Sequence, residues 1–435
     1  MATAATLPPA IDYRHLVQDG RLHGSLYTDP EIFAQEMEAI FHRGWSFVAH
    51  DSEVPNNGDF VVRKVGTQSL IVVRDSKGEI RIHYNRCSHR GAVLCQTSSG
   101  HRSRLTCPYH AWTFALDGRL IGVPDEEAYP AGFSKADAGL APVARVDSYG
   151  GFIFVNLVPN GYSLRDHLGK ATDLIDGLLG LSPVGRIQLN AGWMKHKMRS
   201  NWKIIVENQV DGYHAQMVHG SLLKANQTFA TVRDRKPTSP TRVQDFGMGH
   251  TDIDHTSDYL KANDRLFRWT GGIDPARLPN YVKAMQDAYG EEDARRRLIG
   301  GPPHSMLFPN LSLAEMNIMV IEPVSPTASI QYTCPVFLEG ADELNARTLR
   351  RCEGALGPAG FLIADDAEIG ELTQMGVANL EPEWINLSRG MDTEEVLPNG
   401  VKRAGLMDET SQRGFWRHYR EVMSASDHAM GRENG

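Results

Sequence analysis

The sequence lacks the features that mark membrane, secreted and nucleic-acid-binding proteins. Its 435 residues contain no apolar run of about eighteen residues, the length that a membrane-spanning helix needs. The opening residues, MATAATLPPA, have neither the basic start nor the apolar segment of a secretory signal. The 45 lysines and arginines form no basic cluster, and the formal net charge is −8. We therefore expect a cytoplasmic protein with no membrane and no nucleic-acid partner.

Cysteine is also scarce. The five cysteines, at positions 87, 95, 107, 334 and 352, are odd in number and widely scattered, so they do not form the framework of a disulfide-rich protein. A reducing compartment fits better, with some of the thiols used as metal ligands. No G-x-G-x-x-G motif follows a predicted strand, so the chain is not expected to take electrons directly from NADH.

Hydrophobic periodicity indicates an α+β fold with an all-β module set into it. Residues 28–42 predict an amphipathic helix that begins at Asp29-Pro30. Residues 43–160 alternate β-rich runs with turns such as DSKG, which indicates one compact β domain. Further helices are predicted at NWKIIVENQVDGYHAQMVHG, around 279–298, at DDAEIGELTQMGV and at QRGFWRHYREVM. Paired strands are predicted over 304–337, and little regular structure other than the helix around 279–298 is expected over 231–305.

Two short motifs in the β domain supply metal ligands. Cys87-x-His89 and Cys107-x-x-His110 together offer two thiolates and two imidazoles, a set that suits either tetrahedral zinc or an iron–sulfur cluster. Facing loops of this kind deliver one ligand to each of two metals, with both cysteines on one iron and both histidines on the other. The pattern resembles the Rieske [2Fe–2S] domain, and a zinc knuckle is the alternative. Cys95 is interpreted as a buried small hydrophobe.

A second group of metal ligands is predicted in ENQVDGYHAQMVHGS. Asp211 and His214 share a helical face, whereas His214 and His219 are five residues apart and do not align on an ideal helix. We therefore predict an irregular helix that brings His219 round. An iron(II) oxygenase site needs two histidines and one carboxylate. Asp211 is one candidate for the carboxylate, and the pair Asp365-Asp366 is another.

The whole chain resembles the large (α) subunit of Rieske non-heme iron aromatic ring-hydroxylating dioxygenases. The matching segments are CSHRG, CPYHAWTF, NWKIIVENQVDGYHAQMVH and GPAGF…DD, in the family's order. The resemblance implies that His214, His219 and Asp366 bind a mononuclear Fe(II). It implies that Asp211 bridges His214 to the cluster ligand His110 of a neighbouring subunit, in an α3 or α3β3 assembly with a small β subunit.

The resemblance also implies the domain plan and the reaction. The expected parts are an N-terminal helical piece of the catalytic domain (1–42), an all-β Rieske domain (43–160), and a catalytic domain of antiparallel sheet flanked by helices (161–435). Dioxygen, together with electrons relayed from NAD(P)H through a separate reductase or ferredoxin, cis-dihydroxylates an aromatic substrate. Monooxygenation and oxidative demethylation are the nearest alternatives. An electron carrier and a zinc-stabilised binding protein are alternatives of other classes.

Residues close to the expected iron ligands in sequence are candidates for the substrate pocket because they are mostly apolar, as an aromatic ring requires. These candidates are Gln209, Val210, Met217, Leu222, Met306, Phe361 and Leu362. A separate apolar stripe, formed by Phe415, Tyr419 and Val422, is interpreted as the face by which the last helix docks.

Overall fold

The computed structural model describes residues 11–225, 240–261, 266–270, 272–357 and 360–430. These residues form an α+β fold, as the sequence predicts. Within the described ranges, none of the helices has the length and apolar composition required to cross a membrane.

The strands are short in the first half of the chain and longer in the second. They are β1 (Val17–Gln18), β2 (Arg21–His23), β3 (Ser46–His50), β4 (Asp59–Val65), β5 (Gln68–Arg74), β6 (Ile80–Tyr84), β7 (Ser99–His101), β8 (Leu105–Thr106), β9 (Thr113–Phe114), β10 (Leu120–Gly122), β11 (Arg145–Tyr149), β12 (Phe152–Asn156), β13 (Ile187–Gln188), β14 (Met194–Met198), β15 (Arg242–Gly247), β16 (His250–Asp254), β17 (His304–Leu307), β18 (Leu311–Ala314), β19 (Asn317–Ser325), β20 (Ala328–Pro335), β21 (Phe337–Leu338), β22 (Trp384–Asn386), β23 (Glu395–Val396) and β24 (Lys402–Gly405).

The helices lie before and after the β domain. They are α1 (Tyr13–Leu16), α2 (Pro30–Glu36), α3 (Leu164–Leu168), α4 (Thr172–Leu179), α5 (Trp202–Gln209), α6 (Ala215–Val218), α7 (Gly220–Ala225), α8 (Thr256–Lys261), α9 (Pro279–Tyr289), α10 (Glu291–Gly300), α11 (Asp342–Arg351), α12 (Phe361–Val377) and α13 (Thr410–Met430). Asp29 caps α2, and the helix widens into a π-helical turn over Met37–His42.

The β domain consists of three small antiparallel sheets. Their strand orders are β6-β5-β4-β7, β10-β9-β8 and β11-β12-β3. The first two sheets enclose an apolar core that includes Phe60, Ile71, Trp112 and Phe114, together with three buried cysteines. This core lies directly beneath the two cysteine-histidine loops.

The second half of the chain is built on a nine-stranded antiparallel sheet of order β14-β20-β19-β18-β17-β16-β15-β24-β23. The predicted paired strands over 304–337 form its middle. Strands β15 and β16 were not predicted, because Asp245 and Asp252 interrupt the apolar pattern. Both aspartates are buried, and tertiary contacts satisfy them: Arg417 donates to Asp245 at 2.7 Å, and Ser305 donates to Asp252 at 2.7 Å.

Helix α13 packs on strands β15 and β16, and helices α9 and α10 pack against each other. The predicted apolar face of α13 is buried at Phe415 and Tyr419 and half-buried at Val422, which confirms it as a packing face. The predicted helix over 279–298 is two helices, α9 and α10, separated at Gly290, whose φ is +79°. Glycine adopts this left-handed conformation without the steric penalty of a side chain.

A buried hydrogen-bond network centred on Glu36, called the node below, joins α2, α5 and α13. The Glu36 carboxylate accepts hydrogen bonds from Trp202, Lys203 and Tyr419, and the side chains of Glu36 and Lys203 are fully buried. Burial lowers the pKa of Lys203, and the charge of Glu36 opposes that shift. The node fixes the first turn of α5 against the N-terminal helix and thereby positions the helix that leads into the site.

Replacing Glu36 with Gln should destabilise the catalytic domain by about 3–5 kcal/mol, because Lys203 would keep a buried charge without a counter-charge. Urea unfolding followed by tryptophan fluorescence measures the change. Asp287→Asn is the control, since it breaks the exposed Lys283–Asp287 pair and should change stability by less than about 1 kcal/mol. An equally small change for both variants would contradict the structural role of the node.

Candidate metal centres and active-site cavity

The first cysteine-histidine loop is a tight turn that follows β6. The Cys87 N–H donates to the Ala92 carbonyl at 2.8 Å, and the Gly91 N–H donates to the Cys87 carbonyl at 3.0 Å. Gly91 has a φ of +78°, which glycine tolerates. Asn85, just before the loop, anchors the segment that follows it. Its side-chain amide donates a hydrogen bond to the Cys95 carbonyl and accepts one from the Cys95 N–H, both at 2.9 Å. Sequence reasoning did not single out Asn85.

The second loop repeats this geometry. The Cys107 N–H donates to the Trp112 carbonyl at 2.8 Å, and the Ala111 N–H donates to the Cys107 carbonyl at 3.0 Å. Ala111 has a φ of +56°, at the position that Gly91 occupies in the first loop. A non-glycine residue in this region is sterically disfavoured and persists only where surrounding contacts enforce it. The two loops are therefore structural equivalents.

The four predicted ligands are arranged as two like pairs. The thiols of Cys87 and Cys107 are buried hydrogen-bonding neighbours, and the rings of His89 and His110 lie with centroids 4.7 Å apart. The buried Nδ1 of His110 has no hydrogen-bond partner among the described residues. An unpaired buried imidazole nitrogen fits a metal ligand.

The spacing of the ligand atoms distinguishes a cluster from a single zinc ion. Tetrahedral zinc holds its four donors within roughly 4 Å of one another. In the described part of the chain, no three of these four residues offer ligand atoms within 4.8 Å of one another. Paired thiols and paired imidazoles at a larger separation fit a two-metal cluster.

Apolar and aromatic groups shield the two loops. Trp112 stacks on His89 with centroids 4.7 Å apart, and Tyr109 stacks on His110 at 3.7 Å. Cys95 is buried, and burial raises the pKa of its thiol to about 11, which fits the predicted role of a small hydrophobe.

The second ligand group lies where a helix is broken. Helix α5 ends at Gln209, and Asp211 closes the next turn by accepting a hydrogen bond from the Tyr213 N–H at 2.6 Å. Gly212 passes close to Leu406, where a Cβ would approach the leucine side chain to 2.2 Å. The chain resumes as the short helices α6 and α7, so the predicted irregularity is a full break.

Three ligand atoms converge at α6, because His214 precedes its first residue and His219 follows its last residue with a non-helical backbone. The Nε2 atoms of His214 and His219 lie 3.5 Å and 3.3 Å from Oδ1 of Asp366. Metal–ligand bonds of about 2.0–2.2 Å place adjacent donors roughly 3 Å apart, so the spacing fits one ion. In the described residues, these three form the single group of histidine, cysteine and acidic side chains whose ligand atoms all lie within 4.8 Å.

A second carboxylate stands behind each imidazole. Nδ1 of His214 lies 3.3 Å from Oδ2 of Asp211, and Nδ1 of His219 lies 3.5 Å from Oδ2 of Asp365. The two adjacent aspartates of α12 therefore occupy different positions, with Asp366 at the convergence point and Asp365 behind His219. The His219–Asp365 contact has hydrogen-bond geometry, and such an outer carboxylate fixes the tautomer and orientation of a metal-binding histidine. Nδ1 of His214 forms no hydrogen bond among the described residues and faces Asp211 at ion-pair distance.

The ionised carboxylates around the convergence point favour positive charge there. Burial opposes ionisation of Asp366, but hydrogen bonds and charges from the two histidines outweigh it and lower its pKa to about 2. Burial also opposes the charged form of His214, yet Asp211 and Asp366 raise its pKa to about 9. Asn208 adds a hydrogen bond to Oδ1 of Asp366 at 3.3 Å, a contact that sequence reasoning missed.

A cavity of about 280 Å³ opens beside these ligands. An apolar cavity of about 150 Å³ is enough for benzene, so a substituted or fused aromatic ring has room here. A larger cavity of about 790 Å³ lies in the β domain around residues 94–108, but among the described residues no group of three close ligands lines it.

Two of the predicted pocket residues, Gln209 and Leu362, line the cavity. Val210 and Met306 are instead buried in the main core, and Met217 is 67% exposed on α6, facing away from the cavity. The side chains of Leu222 and Phe361 lie outside the described residues. Sequence proximity to the ligands therefore did not identify most of the lining.

Ile363, beside Leu362 on α12, also lines the cavity, and most of the other lining residues come from strands, turns and loops distant in sequence. They include Ile253, His255, His304, Ala314, Glu315, Met319, Leu356 and Leu406. No local pattern marks these positions, because the antiparallel sheet brings them together only in the folded chain.

Comparison with known proteins agrees with this geometry. Residues 44–145 match the Rieske [2Fe-2S] domain, and residues 186–425 match the ring hydroxylating alpha subunit (catalytic domain). The chain is 31% identical to the anthranilate 1,2-dioxygenase large subunit of Acinetobacter baylyi, over 87% of this chain and 82% of that one. It is 31% identical to the N,N-dimethyl phenylurea N-demethylase subunit alpha of a Sphingobium strain, over 93% and 91% of the two chains. Naphthalene 1,2-dioxygenase with indole bound superposes with a TM-score of 0.82 at 26% identity, over 95% of both chains.

The fold and the two centres define a Rieske non-heme iron oxygenase, whose cofactors are a [2Fe–2S] cluster and a mononuclear iron. The chain belongs to the family of ring-hydroxylating dioxygenase α subunits.

Replacing Asp366 with Asn should abolish binding of the mononuclear iron, because the convergence point loses its negative charge, while the visible absorption of the cluster stays unchanged. The matched variant Asp365→Asn should weaken iron affinity only about 10- to 100-fold, since Asp365 stands behind a ligand. Metal analysis after dialysis against graded chelator measures both. Loss of iron in Asp365→Asn with retention in Asp366→Asn would reverse the two roles.

Proposed function

We propose that this chain is the terminal oxygenase component of a multicomponent dioxygenase that cis-dihydroxylates an aromatic ring. Dioxygen is the co-substrate, and a separate reductase or ferredoxin relays electrons from NAD(P)H. The observation that carries the proposal is the convergence of His214, His219 and Asp366 at the wall of a largely apolar cavity, in the same chain as a paired-loop cluster site.

The residues that would hold the cofactors follow from the two geometries. Cys87 and Cys107 would bind one iron of the cluster, and His89 and His110 the other, which fits their pairing as thiol with thiol and ring with ring. The mononuclear iron would be held by the two histidines and the aspartate that converge. When bound, the cluster supplies electrons singly and the iron activates dioxygen.

The protein's own side chains position the substrate and the ligands. Apolar walls such as Leu362 and Met319 displace water and hold a ring beside the convergence point. Asp365 hydrogen-bonds Nδ1 of His219, Asp211 faces Nδ1 of His214, and both imidazoles present Nε2 to Asp366. The ligand set leaves the cavity side of the site open, as an oxygenase requires.

We further propose an α3 or α3β3 assembly in which Asp211 of one subunit meets the cluster ligand His110 of the next. Asp211 is 29% exposed at the rim of the iron cavity, and His110 is half-buried, so both are available for a contact between chains. Relatives named as large or alpha subunits point to a smaller partner chain in those enzymes. Domain limits at residues 42 and 160, and a cytoplasmic location, remain predictions from the sequence.

Oxidative N-demethylation is the second candidate function. One relative, identical at 31% of positions over 93% of this chain, carries that name. Both reactions would use the same two centres, so the fold does not separate them.

The test is turnover of an aromatic panel under ¹⁸O-labelled dioxygen with a surrogate reductase and ferredoxin. A cis-dihydrodiol that carries two labelled oxygen atoms supports the proposal. A demethylated amine formed together with formaldehyde, with the second atom of dioxygen released as water, would establish the second candidate instead. A phenol that carries a single labelled oxygen would indicate ring monooxygenation and contradict both.

Asp211→Ala should leave both metals bound but slow the reoxidation of the pre-reduced cluster in a single turnover, because the proposed link between subunits is removed. Stopped-flow absorbance of the cluster measures the rate, and Asp287→Ala, on the exposed face of α9, is the control. Reoxidation at the wild-type rate in Asp211→Ala would refute the bridging role.

A further inference from the structure

The hairpin between β18 and β19 brings an acidic side chain into the iron cavity. Ala314 pairs with Asn317, so the turn consists of Glu315 and Met316 alone. Their φ angles are +52° and +68°. Two-residue turns of this kind favour Asn-Gly, because both central residues adopt the left-handed region. Glutamate and methionine are sterically disfavoured here, and such strain persists only where surrounding contacts over-determine it.

Arg351, the last residue of α11, holds this turn through two hydrogen bonds to Glu315. Its guanidinium donates to Oε2 of Glu315 at 2.5 Å and to the Glu315 carbonyl at 3.4 Å. Burial raises the pKa of Glu315, but the charge and hydrogen bond of Arg351 oppose this, and the net shift is downward, so the carboxylate is charged. A carboxylate has about four acceptor positions, so Arg351 leaves acceptor capacity. The Glu315 side chain is 36% exposed and lines the cavity.

Two neutral imidazoles flank Glu315. Burial lowers the pKa of His304 and lowers that of His255 to about 4. Nε2 of His304 lies 2.9 Å from the Gln209 carbonyl, which can only accept, so this nitrogen carries the proton. The rings of His255 and His304 lie 6.1 Å apart. Neither residue supplies a positive charge to the cavity at neutral pH.

Apart from the imidazoles, the ionisable side chains of the cavity wall are all acidic. Asp211, Glu315 and Asp366 line it, and among the described lining residues there is no lysine or arginine. The rest of the wall combines apolar side chains with imidazoles and the amides of Asn208 and Gln209. A ring carboxylate beside Glu315 would meet a like charge, because Arg351, which pairs with Glu315, does not line the cavity, whereas an N–H or O–H group would find an acceptor.

We propose that Glu315 is a specificity-determining residue that selects neutral aromatic substrates bearing an N–H or O–H donor and disfavours aromatic carboxylates. The inference rests on the proposed function, because it takes the iron cavity as the substrate site. Sites that hydrogen-bond a polar group of the substrate reject analogues lacking it far more strongly than apolar pockets discriminate by size.

The test is isothermal titration of the anaerobic holoenzyme with three ring compounds of similar size: aniline, toluene and benzoate. For the wild type we expect aniline to bind at least about tenfold more tightly than toluene, and benzoate to bind more weakly than either. In Glu315→Gln, which keeps a polar contact to Arg351, aniline should lose about tenfold, toluene should change less than about twofold, and benzoate should gain.

Glu395→Gln is the matched control, since it removes an arginine-paired carboxylate from the surface pair with Arg403 and should leave all three affinities unchanged. Tighter binding of benzoate than of aniline, equal losses for aniline and toluene in Glu315→Gln, or no binding of any of the three would overturn the inference. Binding without oxygen is independent of turnover. Preferential aniline binding without any oxygenated product in air, when NADH and the surrogate reductase and ferredoxin are supplied, would therefore remove the proposed function while the role of Glu315 stands.

Discussion

The convergence of two imidazole nitrogens on one carboxylate oxygen is the contact on which the account of the active site depends. His214 and His219 approach Asp366 to 3.5 Å and 3.3 Å from the two ends of α6, a single turn that stops at His219 and is separated from α5 by a break. An unbroken helix would place the two histidines on different faces. The break is built from local chemistry, since Asp211 closes the turn and Gly212 permits the close approach of Leu406.

The surrounding fold holds this convergence in place from two sides. The buried node at Glu36 fixes the start of α5, and Asn201 anchors the same region through the Gln374 side chain of α12. Helix α12 therefore carries both Asp366 and a contact to the segment that leads into the histidines. The paired loops of the β domain form a separate rigid unit above their own core, and their matching hydrogen bonds explain why two short motifs suffice to build one cluster site.

Much of this could be predicted from the sequence where the determining interactions are local. The cysteine-histidine loops, the irregular helix at Asp211 and the docking face of α13 each follow from short spacing or periodicity. The resemblance pointed to Asp366 as the ligand, but the separate position of Asp365 behind His219 depends on the orientation of α12 and could not be read from the sequence. Strands β15 and β16 could not be predicted, because each contains a buried aspartate that interrupts its apolar pattern. The hydrogen bonds that make this burial possible come from Arg417 and Ser305, which are distant in sequence. The cavity wall escaped prediction for the same reason, since Glu315, His304 and Ile253 meet only across the sheet.

Iron and acid-labile sulfide analysis of anaerobically purified protein tests the central claim most directly. A two-iron, two-sulfide cluster plus one mononuclear iron requires three irons and two sulfides per chain. Zinc in place of iron, or iron without inorganic sulfide, would contradict the cluster assignment. If the protein still held only two irons and two sulfides per chain after Fe(II) was added, the mononuclear centre would be contradicted.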